Sequence, residues 1–164
     1  MAVADIIMLP PVAGDARRLA AELRVADAAE VRASTGREPL PVIIEAIAMS
    51  SEVWALHLHG GLACIWGVVR DDSAPSAAGR VGIAWMLTTP VIERWPLLFW
   101  RTCLRVLPLL LRNWEVLVNA IDARHKQALR WARRLGFRLD PPAPFGAEGL
   151  DFCLFTVTLG DLRV

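Results

Sequence analysis

The chain has 164 residues, with 18 Lys and Arg against 17 Asp and Glu and a formal net charge of +1, a balance that excludes the strongly basic footprint of a nucleic-acid-binding protein. Its length suits one domain built on one core. Hydrophobic residues make up 55% of the chain, seven of them Trp, and mean hydropathy is +0.41, which points to a large core, a partner surface or both.

Residues 1–19 read as an N-terminal extension and residues 20–164 as the domain. The opening "MAVADIIMLPPVAGDARR" lacks a basic start, and Pro10 and Pro11 break its apolar run, so no targeting signal is expected. The first predicted strand is "AELRVA" (21–26), where polar and apolar residues alternate. Asp27 is then expected to cap a helix, with Glu30 at the capping-box position and Gly36 closing it. A second helix covers roughly 40–49, with Pro41 in its first turn.

Two strands flanking Gly60-Gly61 carry a hairpin signal, and "DDSAPSAAGR" (71–80) reads as an exposed loop. "GRVGIAWMLTT" (79–89) is a further strand, after which Pro90 begins a long helix to about Arg112. This helix holds the most apolar run of the chain. Arg101 and Arg105 fall inside it and Pro96 and Pro108 interrupt it, so it reads as a buried or partner-facing helix and not a membrane span. "WEVLVNAID" (114–122) is a strand, and "HKQALRWARRLG" (125–136) is a helix with Gly136 just beyond its end. "FRLD" and "DFCLFTVTL" close the chain as strands around the turn-rich "PPAPFGAEG". The order implies an α/β (α+β) single domain: a mixed, mostly antiparallel sheet of about six to seven strands with helices on both faces.

That order, together with "NAIDARHKQALRWARRLGF" at 119–137, resembles the GNAT (GCN5-related N-acetyltransferase) superfamily over nearly the whole chain. The resemblance implies an acetyl-CoA site between two splayed strands, with a glycine-rich turn holding the pyrophosphate and a tyrosine protonating the departing thiolate. Ala128, Leu135, Gly136 and Phe137 stand where the family places Ala, a hydrophobe, Gly and Phe. His125 falls at the usual Asn position and Ala132 at the usual Tyr position, and the chain contains no tyrosine. At the pyrophosphate turn it reads "TTPVIERWPLLFW". Pro90 has no N–H to donate, no glycine is present, and Glu93 brings negative charge to an anion site. Acetyl-CoA or CoA is therefore a possible cofactor held less firmly than in the family.

A narrower resemblance is to GNAT-like proteins of tailed phages and prophages described as virion-morphogenesis or internal core proteins. It rests on Trp85, Leu87 and Thr89, Asn119 and Asp122, Trp131, Phe152 and Phe155. It implies a protein with a degenerate acetyl-CoA site acting in virion assembly. Its partners would be other phage structural proteins or a second copy, met through the helix at 90–112. Its location would be the cytoplasm of an infected or lysogenic bacterial cell, or the virion. The alternative is an acetyl-CoA-dependent N-acyltransferase with a non-standard general acid.

Within that frame, His125 is a candidate catalytic acid or base, set against the commoner case of a first-turn residue bonded to the preceding loop. Glu52 is a second candidate base. Trp85, Met86, Leu87, Thr88, Thr89 and Asn119 are the candidate cofactor-binding residues, acting largely through backbone groups. His57 and His59 share a strand face by period-two spacing, but lack a third ligand, so no metal is expected. Cys64, Cys103 and Cys153 form no CxxC pair and read as buried, reduced thiols.

Overall fold

The computed structural model describes residues 5–75 and 79–162; residues 76–78 of the loop expected at 71–80 lie outside them. In chain order the elements are β1 (Ile6–Leu9), α1 (Asp15–Glu22), α2 (Val25–Thr35), α3 (Pro39–Met49), β2 (Glu52–Leu58), β3 (Gly61–Arg70) and β4 (Val81–Thr88). These are followed by α4 (Val91–Arg94), α5 (Pro96–Leu110), β5 (Val116–Asp122), α6 (Lys126–Arg134), β6 (Arg138–Leu139), β7 (Ala143–Phe145) and β8 (Leu150–Val157). One sheet runs β1-β2-β3-β4-β5-β8-β6, with β7 also on β8. β6 and β7 pair with successive stretches of the same strand, so eight strands fill seven positions. Only β4 and β5 run parallel.

Alternation along the strands divides the core into two layers. Ala55, Ile65 and Leu87 pack with Leu19, Val31 and Ile43 under α1–α3. Leu56 and Cys64 face the other way and pack with Ile92 and Phe99 of α4 and α5, while Ile121 and Cys153 meet Leu129 and Ala132 of α6. The α/β single domain with helices on both faces is thus as the sequence implies.

Several local expectations differ. The strand expected at 21–26 is the end of α1 and the start of α2. Ala16, Leu19, Ala20 and Leu23, spaced i, i+3, i+4 and i+7, form the buried stripe of a helix, and the alternation of "AELRVA" is a short accident within it. The segment expected as an extension supplies β1, which pairs with β2 from Ile6↔Leu58 to Leu9↔Ala55. The hairpin turns on His59-Gly60 and not on Gly60-Gly61, both turn residues having positive φ (46° and 80°). The long helix breaks at Trp95 (φ −129°, ψ 53°), because the residue before Pro96 is disfavoured in the α region. β7 forms inside a stretch expected to be turn alone. No described helix is long and apolar enough to cross a membrane.

Candidate active site

β4 and β5 pair only over Val81–Ile83 and Val116–Val118, yet both continue, so they separate into a V. Gly82 makes the base of the V possible: a Cβ there would lie 2.4 Å from Val68 Cγ1 and 2.9 Å from Trp114 Cε3. Just past the base, Asn119 Nδ2 donates to the Ala84 carbonyl at 2.8 Å. At the far end of β4 the Thr88 carbonyl accepts from the Arg24 N–H at 3.1 Å. The Thr88 N–H and hydroxyl donate to Asp27 at 3.3 and 3.1 Å. Met86 is in phase between Ala84 and Thr88, so its N–H and C=O face the gap.

A cavity of about 1300 Å3 runs through the V, with walls from both layers. Its polar end is a cluster brought by α2 and α6. His125 is the N-cap of α6, its Nδ1 accepting from the Ala128 N–H at 3.4 Å. Its Nε2 faces Asp27 Oδ2 at 3.9 Å, an ion-pair distance longer than a hydrogen bond. Asp27 and His125 are 6% and 8% exposed. Glu30, one turn along α2, accepts from the Asp122 N–H at 2.9 Å.

The electrostatics follow from this placement. Burial pushes the Glu30 carboxyl up to about 7, against the opposing pull of the Asp122 N–H and of His125. The Asp27 carboxylate raises His125 above its ordinary value, with burial working against it and Glu30 adding to it. Burial also works to raise Asp122, but the Arg124 guanidinium and N–H hold it below the usual carboxylate range. The cavity thus presents a carboxyl that titrates near 7 beside an imidazole whose protonated form is favoured by Asp27.

Arg24 lies across the mouth. Its Nε donates to Glu93 at 2.9 Å and its Nη1 to the Thr88 hydroxyl at 3.3 Å, while Nη2 meets the Gln127 carbonyl oxygen. In the first turn of α4, the Val91 N–H donates to the Thr89 hydroxyl and the Ile92 N–H to the Thr89 carbonyl, both at 3.3 Å. The backbone donors that would receive a pyrophosphate are therefore used locally, and Glu93 is already paired. The thioester arm of CoA fits the exposed edge of β4 at Met86. The nucleotide end does not fit this turn.

Of the expected residues, His125, Trp85, Met86, Leu87, Thr88 and Asn119 line the cavity. Trp85 is held by its Nε1, which donates to Ser50 Oγ at 2.9 Å, in space left by Gly67, where a Cβ would lie 2.7 Å from Ser50 Oγ. Thr89 is buried behind the wall, its hydroxyl donating to the Leu62 carbonyl. Glu52 lies away from the cavity and accepts from the Trp114 indole N–H. His59 sits in the turn, tilted against Trp95 with ring centroids 3.9 Å apart, and does not extend the His57 face. Burial raises the thiols of Cys64 and Cys103, the latter to about 12, which makes both poor nucleophiles. Arg24 and Glu30 escaped sequence reasoning as site residues. Asp27 and Glu30 looked like a capping box, and Arg24 lay in the misread strand.

No protein-family model matches the chain, and no curated protein sequence matches it. Solved structures do match in fold. A GNAT-family acetyltransferase from Streptococcus pneumoniae superposes with TM-score 0.58 at 15% identity, over 93% of this chain and 98% of that one. An aminoglycoside N(6')acetyltransferase from Legionella pneumophila gives 0.68 at 6%, over 98% and 96%. A spermidine N-acetyltransferase from Vibrio cholerae, solved with CoA and spermine, gives 0.66 at 10%, over 97% and 98%. The chain has the GNAT fold.

Proposed function

We propose that the protein is an N-acyltransferase that moves an acyl group from a CoA-type thioester to an amine. The observation that carries this reading is the cluster of Glu30, His125 and Asp27 in a cavity that crosses an open V. Aromatic side chains line that V without plugging it. The amine nitrogen attacks the thioester carbonyl carbon, with the Met86 N–H on the free edge of β4 positioned to polarise the oxygen. The C–S bond breaks. Glu30 takes the proton lost by the amine, and protonated His125 returns one to the departing thiolate, in the role left open by the missing tyrosine.

The direct test is thiol release from acetyl-CoA and longer acyl-CoAs in the presence of a panel of primary amines. Release should depend on the amine and rise as pH passes through about 7, where Glu30 loses its proton. Absence of release with every amine, from a protein shown to be folded, would overturn the reading.

A second reading keeps the phage or prophage assembly role. It rests on the outer face of α5, where Leu97, Leu104 and Leu109 are 70%, 46% and 55% exposed beside Arg101 and Arg105. Such a face suits contact with another protein or a second copy. Its test is the oligomeric state of the wild type against Leu97→Glu/Leu104→Glu.

A further inference from the structure

We propose that the part of the cavity between the sheet and α5–α6 is a site for a long acyl chain, so that the donor carries a medium- or long-chain acyl group in place of acetyl. This deepens the acyl-transfer reading and rests on it. The size of the space is the first argument. At about 1300 Å3, the V and its polar end included, the cavity exceeds the roughly 300–1,000 Å3 of ordinary ligand sites, and an acetyl group would leave its α5–α6 side unfilled.

The walls are the second argument. Trp66 and Met86 from the sheet meet Trp100, Cys103 and Val106 of α5 and Trp131 of α6. These residues lie between two layers, where close packing is the rule, and each is only half-buried. Trp66, Met86, Trp100, Cys103 and Trp131 pack against the core on one side and face the cavity on the other. A pantetheine arm has amide groups that need polar partners, and this wall offers almost none. An alkyl chain needs none, and each buried methylene favours binding.

A polar detail fits the head of such a ligand. Trp131 Nε1 is the one buried side-chain polar atom without a hydrogen-bond partner among the described residues. An unpaired buried donor is costly, and a carboxyl or thioester oxygen would satisfy it once the indole turns its N–H toward the cavity. Arg130 and Arg134, exposed and also lining the cavity, lie on the same helix for an anionic end. The shared chemistry, an apolar chain with one carbonyl head, could come from a free fatty acid or from an acyl thioester.

The experiment titrates the full chain with decanoate, decanoyl-CoA and acetyl-CoA, following tryptophan fluorescence, and then measures turnover of both thioesters. Decanoyl-CoA should bind at least a hundredfold more tightly than acetyl-CoA. Decanoate binding as tightly as decanoyl-CoA would identify the free acid as the ligand and keep the chain site while counting against transfer. Turnover of acetyl-CoA and decanoyl-CoA with equal kcat/KM would overturn the chain site and leave acyl transfer standing. Cys103→Phe should weaken decanoyl-CoA more than acetyl-CoA, and an equal effect on both would overturn the site. Trp131→Phe, which keeps an aromatic ring but removes the N–H with the pyrrole half of the indole, should weaken decanoyl-CoA about fivefold in a protein that a cooperative melt shows to be folded. Unaltered affinity would remove Trp131 from the proposal.

Discussion

Glu30 is the residue on which most of the chemistry turns. Its carboxyl is held at about 7 mainly by burial, so the folded chain prefers it protonated where the unfolded chain would ionise it. A folded-state value raised above 4.5 contributes stability at low pH that is lost as pH rises toward 7. Glu30→Gln removes that dependence. Chemical denaturation of the variant and wild type at pH 5 and 8 should show the wild type losing on the order of 2 kcal/mol more across the range. The same variant should lose acyl transfer by about a hundredfold, the usual scale for a general base. A variant that loses pH-dependent stability but keeps full activity would separate Glu30's burial from catalysis. His125→Asn keeps a side chain able to cap α6, so its activity loss, with Tm little changed, would report on chemistry and not on the helix. Neither role of Glu30 was visible in the sequence. Asp27-x-x-Glu30 has the spacing of a capping box, and only the packing of α2 over β5 brings Glu30 under the Asp122 N–H. His125 was legible because its distance from the Leu-Gly-Phe end of its helix is local. Its partners lie about 100 residues away in sequence and were not.

At the scale of elements, the site depends on where two strands stop pairing. Gly82 permits the Val81–Ile83 pairing by leaving room for Val68, Trp114 and Leu117. Gly82→Ala should destabilise the protein by roughly 1–3 kcal/mol through overpacking and reduce activity by shifting the base of the V, as urea denaturation and turnover together would show. Strands and helices with strong periodicity were readable from β2 through α6, because alternation and the 3.6-residue repeat there run for many residues. The misreadings fall where signals are short. Six alternating residues inside the α1–α2 stretch mimicked a strand, and β7 is too brief to show a period. The break at Trp95 followed from Pro96 but was overridden by the apolar run around it. That the turn after β4 has a Pro without an N–H and a carboxylate was legible from Pro90 and Glu93. What the sequence did not reveal was the cation that meets Glu93: Arg24 arrives from the N-cap of α2, 69 residues earlier.

For the whole molecule, that contact has a consequence for how the donor is held. An acyl-CoA offers two handles, a thioester arm and a charged nucleotide, and on the proposed function the open edge of β4 would receive the first. The first-turn donors of α4 are spent on Thr89, and Arg24 is shared among Glu93, Gln127 and Thr88. Binding energy should therefore come from the arm and the acyl chain, and little from the phosphates. Acyl-pantetheine, which lacks the nucleotide, should then replace acyl-CoA with kcat/KM within about threefold, a difference under 1 kcal/mol. Raising salt should weaken acyl-CoA only slightly, since screened ionic contacts contribute little. Glu93→Gln sharpens the test by removing one of the two carboxylates paired with Arg24 and leaving Asp27, at 3.7 Å, as the other. In that variant acyl-CoA should gain affinity, become salt-sensitive and draw ahead of acyl-pantetheine, as paired titrations at low and high salt would show. A wild type that already prefers acyl-CoA by a hundredfold would mean that the phosphates find donors elsewhere on the surface, and that α4 is not where the donor's charge is read.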